Sequence, residues 1–419
     1  MPEWQSFQAF LTAALQADQE QRQHMVDALL RERPQWPWIE ANRATFIFNE
    51  PGTQTAAVNL DIIRDDPPFH PMTNLPGTTL WYAAHVFAPD DLLDYMLAIN
   101  DPMTPLAQER DLVGRISRCW RPDPLNPLRL ETPQISVSVL RMPQARPFAD
   151  WSDMPAVPRG RVIQHERVDS RQLGFTGRKL WVYTPPGYSQ EATAQDEYPL
   201  LILHDALWST TALQVPYIAD ALIKHQQMQP VVIAMVQSGT PEERAREYAA
   251  NDRHYTFLLT ELLPFVQTYY RIDPTNLGVG GVDLGAVAAA HAALMNPVVF
   301  ERLAMISPPL GKGPFEAQLD GLLRRFEQQD RLPQRVFQSV GRHEAAARFV
   351  NPARTLRDTL EQRAAQRETE YHYIEPGTGH GLVGYRAALP EALAWVFPGL
   401  AGASLMSAPQ PAAQARQDI

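Results

Sequence analysis

The sequence predicts an α/β protein: a mostly parallel sheet flanked by helices, preceded by a small β-sandwich and, before that, by N-terminal helices. Three observations predict it. From about Val162 to Leu400, short apolar runs alternate with helical stretches, which is the rhythm of βαβ units. Between Ala44 and Ile99 the runs are short, strand-like and separated by turn residues, as in a small sandwich. Before Arg33, apolar residues recur at helical spacing between Gln- and Glu-rich faces.

The elements follow in order. Phe7, Phe10, Leu11 and Leu15, then Met25, Leu29 and Leu30, mark one or two helices that end at Pro34–Pro37. The segments from Ala44 to Asn49, Ala56 to Ile63, Thr78 to Phe87 and Leu92 to Ile99 read as strands. A proline-rich joint from Asp123 to Ala156 holds one more strand, Ile135 to Leu140. In the second half the predicted strands are Lys179–Thr184, Leu200–His204, Val231–Val236, Leu277–Gly280, Arg302–Ser307, Val336–Val340 and Glu370–Ile374. Each leads into turn residues, where open α/β sheets place their sites. The expected division is 1–40 helical, 41–160 sandwich and joint, 161–401 α/β unit, and 402–419 a disordered tail rich in Ala, Pro, Gln and Ser.

Bulk properties narrow the function. The chain has 419 residues, 45% hydrophobic and 20% charged, enough for two or three units with full cores. A net charge of −10 argues against nucleic acid as a partner. No apolar run approaches the roughly 20 residues of a membrane helix, and the N-terminal Met-Pro-Glu-Trp-Gln lacks the features of a signal peptide. One cysteine, Cys119, rules out an intrachain disulfide and fits a cytoplasmic location. No two histidines stand at zinc spacing with a carboxylate, so no metal and no cofactor is expected. Homo-oligomerisation is left open.

The chemistry gathers on three loops. Gly281-Val-Asp-Leu-Gly285, after the strand Leu277–Gly280, has the frame of the G-x-S-x-G nucleophile elbow of α/β-hydrolases, with Asp283 in place of serine. Glu344, in Gly341-Arg-His-Glu, is the candidate acid, with His343 and Glu316 as alternatives. His380, in Gly377-Thr-Gly-His-Gly381, is the candidate base. Nucleophile, acid and histidine appear in the order that this fold uses. The candidate oxyanion donors are the backbone N–H groups of Leu284 and of Ala206 or Leu207. Arg244, Trp208 and Asp205 are candidate substrate contacts, and Arg244, Arg246, Arg253 and His254 could form a basic rim. His372 reads as a packed or edge histidine of its strand.

Several segments resemble one family. These are Arg178-Lys-Leu-Trp-Val-Tyr-Thr-Pro-Pro-Gly-Tyr188, Leu203-His-Asp-Ala-Leu-Trp208, Arg244-Ala-Arg-Glu-Tyr-Ala-Ala-Asn251 with Glu261-Leu-Leu-Pro264, Asp123-Pro-Leu-Asn-Pro127 and Leu140-Arg-Met-Pro-Gln-Ala145. Together they resemble the ferric enterobactin (enterochelin) esterases and the wider esterase-D-like group, over roughly residues 40 to 400. The resemblance implies an α/β-hydrolase behind a sandwich, acting on a siderophore-like or similar small-molecule ester through serine, histidine and an acid. It also implies that Arg244 braces Glu247. Ala206 stands where glycine is usual, and Asp283 departs from the family at the nucleophile. Three readings of Asp283 follow: a carboxylate nucleophile, a base that activates water, or the mark of an inactive esterase-like protein that binds a ligand or partner.

Overall fold

The computed structural model describes residues 4–133, 136–189 and 197–400. The tail expected to be disordered and the first residue of the Ile135 strand lie outside the described residues. The chain divides into two compact units: residues up to Arg146 with Gly377–Gly379, and Pro147–Pro376 with the residues from His380 onward.

The first unit begins with helices Phe7–Gln16 and Gln19–Glu32. Side-chain oxygens of Ser6 and Asp18 accept the first free N–H groups of these helices, which fixes where each starts. One sheet orders the strands Trp38–Glu40, Arg43–Asn49, Leu80–Val86 and Thr73–Asn74. The other orders Phe69–Pro71, Ala56–Leu60, Asp91–Ile99, Ser136–Arg141 and Arg129–Glu131, with Trp120–Arg121 and Gly377–Thr378 also paired to Asp91–Ile99. Alternation along Arg43–Asn49 sends side chains to opposite faces. Phe46 and Phe48 enter a core with Val58, Leu93 and Leu97 of the second sheet, which makes a sandwich. Ile47 faces the other way and joins Phe7, Phe10, Val26 and Leu29 of the helices.

Inside this unit Asp123 is fully buried, accepting from the Tyr95 hydroxyl at 2.8 Å and the Leu125 N–H at 2.9 Å. Burial pushes its carboxyl up to about 6 from an ordinary 3.8. A pKa raised by folding stabilises most below the unfolded value, and that contribution is lost as pH rises through about 6. The difference is worth about 3 kcal/mol. Urea titrations at several pH values should therefore show Asp123→Asn losing less stability than the native chain between about pH 4 and pH 7. Parallel pH profiles would contradict this.

The second unit is built on an eight-stranded sheet. We number its strands β1 (Arg161–Ser170), β2 (Phe175–Thr184), β3 (Tyr198–His204), β4 (Val232–Val236), β5 (Ile272–Val282), β6 (Phe300–Ile306), β7 (Arg335–Ser339) and β8 (Glu370–Ile374). Their order is 1-2-4-3-5-6-7-8, antiparallel for the pairs 1–2 and 2–4 and parallel from there on. All seven strands predicted in this half are present, and β1 is the addition. The central strands are apolar on both faces because helices cover both, with Leu200, Ile202 and Val279 in one core and Leu201, Leu203 and Val282 in the other. The parallel strands β3, β5, β6, β7 and β8 run the same way, so the loops after them gather at one sheet edge.

Candidate active site

The turn from β5 into the helix Leu284–Met295 is the sharpest feature of that edge. Asp283, between them, has φ 52 and ψ −128, a conformation that costs a non-glycine residue roughly 1–3 kcal/mol. Its N–H donates to the Ile306 carbonyl at 3.0 Å, and its own carbonyl accepts from Ala286 N–H at 3.0 Å. Two glycines make the turn sterically feasible. A Cβ on Gly281 would stand 2.4 Å from the Gly285 carbonyl carbon, and one on Gly285 would stand 2.9 Å from the His204 Cβ. The helix behind it, Ala286-Val-Ala-Ala-Ala, is buried throughout, so small side chains let it lie close on the sheet.

His380 and Glu344 meet at the same edge. Nδ1 of His380 is 2.8 Å from Oε2 of Glu344. Oε1 of the same carboxylate accepts from the Ser307 hydroxyl and the Gly341 N–H, both at 2.6 Å. With these partners the Glu344 side chain is fully buried, and it fixes the proton of His380 on Nδ1. Of the candidate partners that the sequence offered, Glu344 is the one this geometry brings to His380. Nε2 of His380 then carries the lone pair, and it faces Oδ1 of Asp283 at 3.8 Å.

The Tyr385 hydroxyl is 2.8 Å from Nε2 and 3.2 Å from Nδ1, and the two rings meet at 84° with centroids 5.4 Å apart. One oxygen cannot lie in the ring plane along both nitrogens, so it sits over the face of the imidazole. The in-plane lone pair of Nε2 stays accessible. Burial, with the nearby Asp283 and Glu344 carboxylates, holds the Tyr385 phenol far above its ordinary pKa, so it remains neutral. Phe349 packs on the imidazole with centroids 4.2 Å apart. Sequence reasoning missed Tyr385, Phe349 and Ser307. The only signal for Ser307 was its place at the end of a predicted strand.

Arg244 joins the other two candidate contacts. Its Nε and Nη2 fork onto the two oxygens of Asp205 at 2.8 and 2.7 Å, and its Nη1 donates to Oδ2 of Asp283 at 3.1 Å. Burial opposes the cation, but the Asp205 fork and the Asp283 charge outweigh it and raise its pKa further. The expected brace to Glu247 belongs instead to Arg178, at 2.6 and 3.0 Å. A basic rim including His254 does not form. His254 is buried, and burial first, then neighbouring His204, hold it well below its ordinary pKa. The two imidazoles touch through their Nε2 atoms at 2.9 Å. Nδ1 of His204 must donate to the Gly280 carbonyl at 2.9 Å, so His254 donates through Nε2. His372 pairs with Glu391 at 2.6 Å on the β8 side.

The candidate oxyanion donors differ in availability. Leu284 opens its helix, so its N–H has no intrahelical acceptor. Ala206 follows Asp205, which has φ 60. The N–H of Leu207 donates to Oε1 of Gln237 at 2.9 Å, a contact invisible in the sequence. Trp208 is half-buried, with the Arg244 guanidinium 5.1 Å from its ring centre. Among the described residues no group of three or more His, Cys, Asp or Glu side chains is placed to hold a metal ion, and no helix is long and apolar enough to cross a membrane.

Comparison with known proteins places this geometry. Residues 175–396 match the family described as putative esterase, and residues 43–151 match the enterochelin esterase N-terminal domain. Curated protein sequences give no significant match. Among solved structures, the ferric enterobactin esterase of Salmonella typhimurium superposes with a TM-score of 0.70 at 18% identity, covering 88% of this chain and 98% of that one. The enterobactin esterase of Shigella flexneri, solved in the presence of enterobactin, gives 0.66 at 21% identity, covering 84% and 92%. The same enzyme with 2,3-dihydroxy-N-benzoyl-glycine gives 0.67 at 20%, covering 88% and 97%. At these identities the likeness shows the fold, an α/β-hydrolase with an N-terminal domain. The family match spans more than half of the 419 residues, and the chain belongs to the putative esterase family as an enterochelin esterase-like member.

Proposed function

We propose that this chain hydrolyses esters of a catecholate-siderophore scaffold, with Glu344 and His380 as the general-base pair and Asp283 at the nucleophile elbow. One observation carries the reading: the Glu344–His380 pair is complete at 2.8 Å, and its free Nε2 faces Asp283. The 3.8 Å between Nε2 and Oδ1 is too long for a direct hydrogen bond and suits a shared water. His380 takes a proton from that water while Asp283 orients it, and the hydroxide adds to the ester carbonyl. The oxyanion forms against the N–H groups of Leu284 and Ala206. Arg244 offsets the Asp283 charge that would otherwise oppose it. The imidazolium then returns its proton to the leaving alkoxide.

The half-buried ring of Trp208 favours an aromatic substrate. The structural neighbours solved with enterobactin and with 2,3-dihydroxy-N-benzoyl amino acids point to an ester of a catechol-bearing N-acyl amino acid. A single free thiol, Cys119, suits the cytoplasm. The ion pair between Arg244 and Asp283 favours a second reading, a ligand-binding member without turnover, because a carboxylate so engaged is less free to orient water or to attack.

Incubation with enterobactin and a panel of aryl acetates separates the two. Release of 2,3-dihydroxy-N-benzoyl-serine supports the hydrolase. Measurable binding with every ester left intact supports the second reading. Gln237→Ala adds a finer check. It frees the Leu207 N–H as a further donor to the oxyanion, so kcat/KM should rise about three- to tenfold, mostly through kcat. A fall would show that Gln237 assists the reaction.

A further inference from the structure

The two oxygens of Asp283 are not equivalent. Oδ2 accepts from Nη1 of Arg244 at 3.1 Å, whereas Oδ1 faces Nε2 of His380 at 3.8 Å. The side chain keeps 17% of its surface open, so a ligand can reach it. Attack by Oδ1 on an acyl carbon would give a mixed anhydride, less stable than the ester consumed. Attack on a saturated carbon would give an ordinary ester of Asp283, and the surroundings are arranged to hydrolyse that ester. Its carbonyl oxygen would be Oδ2, already held by a cation that Asp205 fixes with a two-point fork at 2.8 and 2.7 Å. The Glu344–His380 pair lies on the Oδ1 side, where water must be activated.

We propose that Asp283 is an alkyl-accepting nucleophile toward strained cyclic ethers, specifically aryl epoxides, with Trp208 beside the aryl group. Oδ1 attacks a ring carbon, and the carbon–oxygen bond of the epoxide breaks. The alkoxide takes a proton from solvent water, which reaches the site beside the 37% exposed side chain of His380. Neutral His380 then takes a proton from water as the hydroxide adds to Cγ of Asp283, and the oxyanion on Oδ2 is held by Arg244. Collapse expels the second alkoxide, which takes the proton from His380. The new carboxylic acid releases its own proton to solvent, which balances the proton taken by the first alkoxide. The sum is epoxide plus water to diol, with no oxidant or reductant. This activity goes beyond ester hydrolysis and shares only the water-activating pair with it.

A single turnover in oxygen-18 water, with enzyme in excess over styrene oxide, tests it. The expected result is label in the peptide containing Asp283 and a first-turnover diol without label, because the water oxygen enters the carboxylate. In His380→Ala the alkyl-enzyme should accumulate and be seen as a mass adduct on the same peptide, absent from Asp283→Asn. Label in the diol would overturn the proposal by showing direct attack of water on the epoxide. Absence of both diol and adduct, or an adduct on another residue, would overturn it as well. Phenyl acetate hydrolysis by the same preparations reports the ester reading separately, so either activity can fail alone.

Discussion

Asp283→Ser should raise the hydrolysis of phenyl acetate at least about a hundredfold over the native chain and introduce a pre-steady-state burst. The substitution removes an anion from beside the Leu284 N–H and supplies a hydroxyl that His380 can deprotonate. The rest of the machinery is already placed: Glu344 fixes the His380 tautomer at 2.8 Å, and the backbone at residue 283 keeps the φ of 52 that presents its side chain above the helix. Acyl transfer would then run through a covalent serine ester, which the burst reports. A folded Asp283→Ser chain with neither gain nor burst would show that more than the nucleophile separates this site from a serine esterase.

Arg244→Met should lower stability by about 3 kcal/mol, one of the largest effects of any single change in the second unit. The reason is Asp205. Its side chain is only 4% exposed, and Arg244 supplies both of its side-chain hydrogen bonds. Without the guanidinium a buried carboxylate has no cation, whereas methionine keeps most of the packing of the arginine stem. Asp205→Asn in the same chain should recover much of the loss, because the uncompensated charge is gone. Urea unfolding of the two single variants and the double variant measures the coupling. Additive losses would mean that the fork contributes little beyond packing. Turnover should also fall in Arg244→Met, since Asp283 loses the partner that offsets its charge.

The second unit was legible because its strands are apolar on both faces and bounded by turns. Strand β1 was not, since Arg161-Val-Ile-Gln-His-Glu-Arg-Val-Asp-Ser170 is an edge strand with mostly exposed residues and no apolar run. The loops carrying Asp283, Glu344 and His380 could be found by their order after successive strands, and the structure brings them together. The partner of Arg244 could not. The family resemblance implied Glu247, three residues on, but Glu247 is taken by Arg178 from a strand 69 positions earlier. Arg244 reaches Asp205 and Asp283, each 39 positions away. Such pairings arise only when β3, β5 and the helix carrying Arg244 are assembled. Gln237 and Tyr385 were invisible for the same reason.

The most direct measurement is steady-state hydrolysis of phenyl acetate by the native chain, His380→Ala and Glu344→Gln, with folding of each confirmed by circular dichroism. Turnover above the buffer rate is expected in the native chain, with a loss of at least about a hundredfold in both variants, the usual scale of a general base. Native turnover that survives in His380→Ala, or a well-folded native chain that leaves phenyl acetate and enterobactin alike untouched, would contradict the proposed hydrolysis.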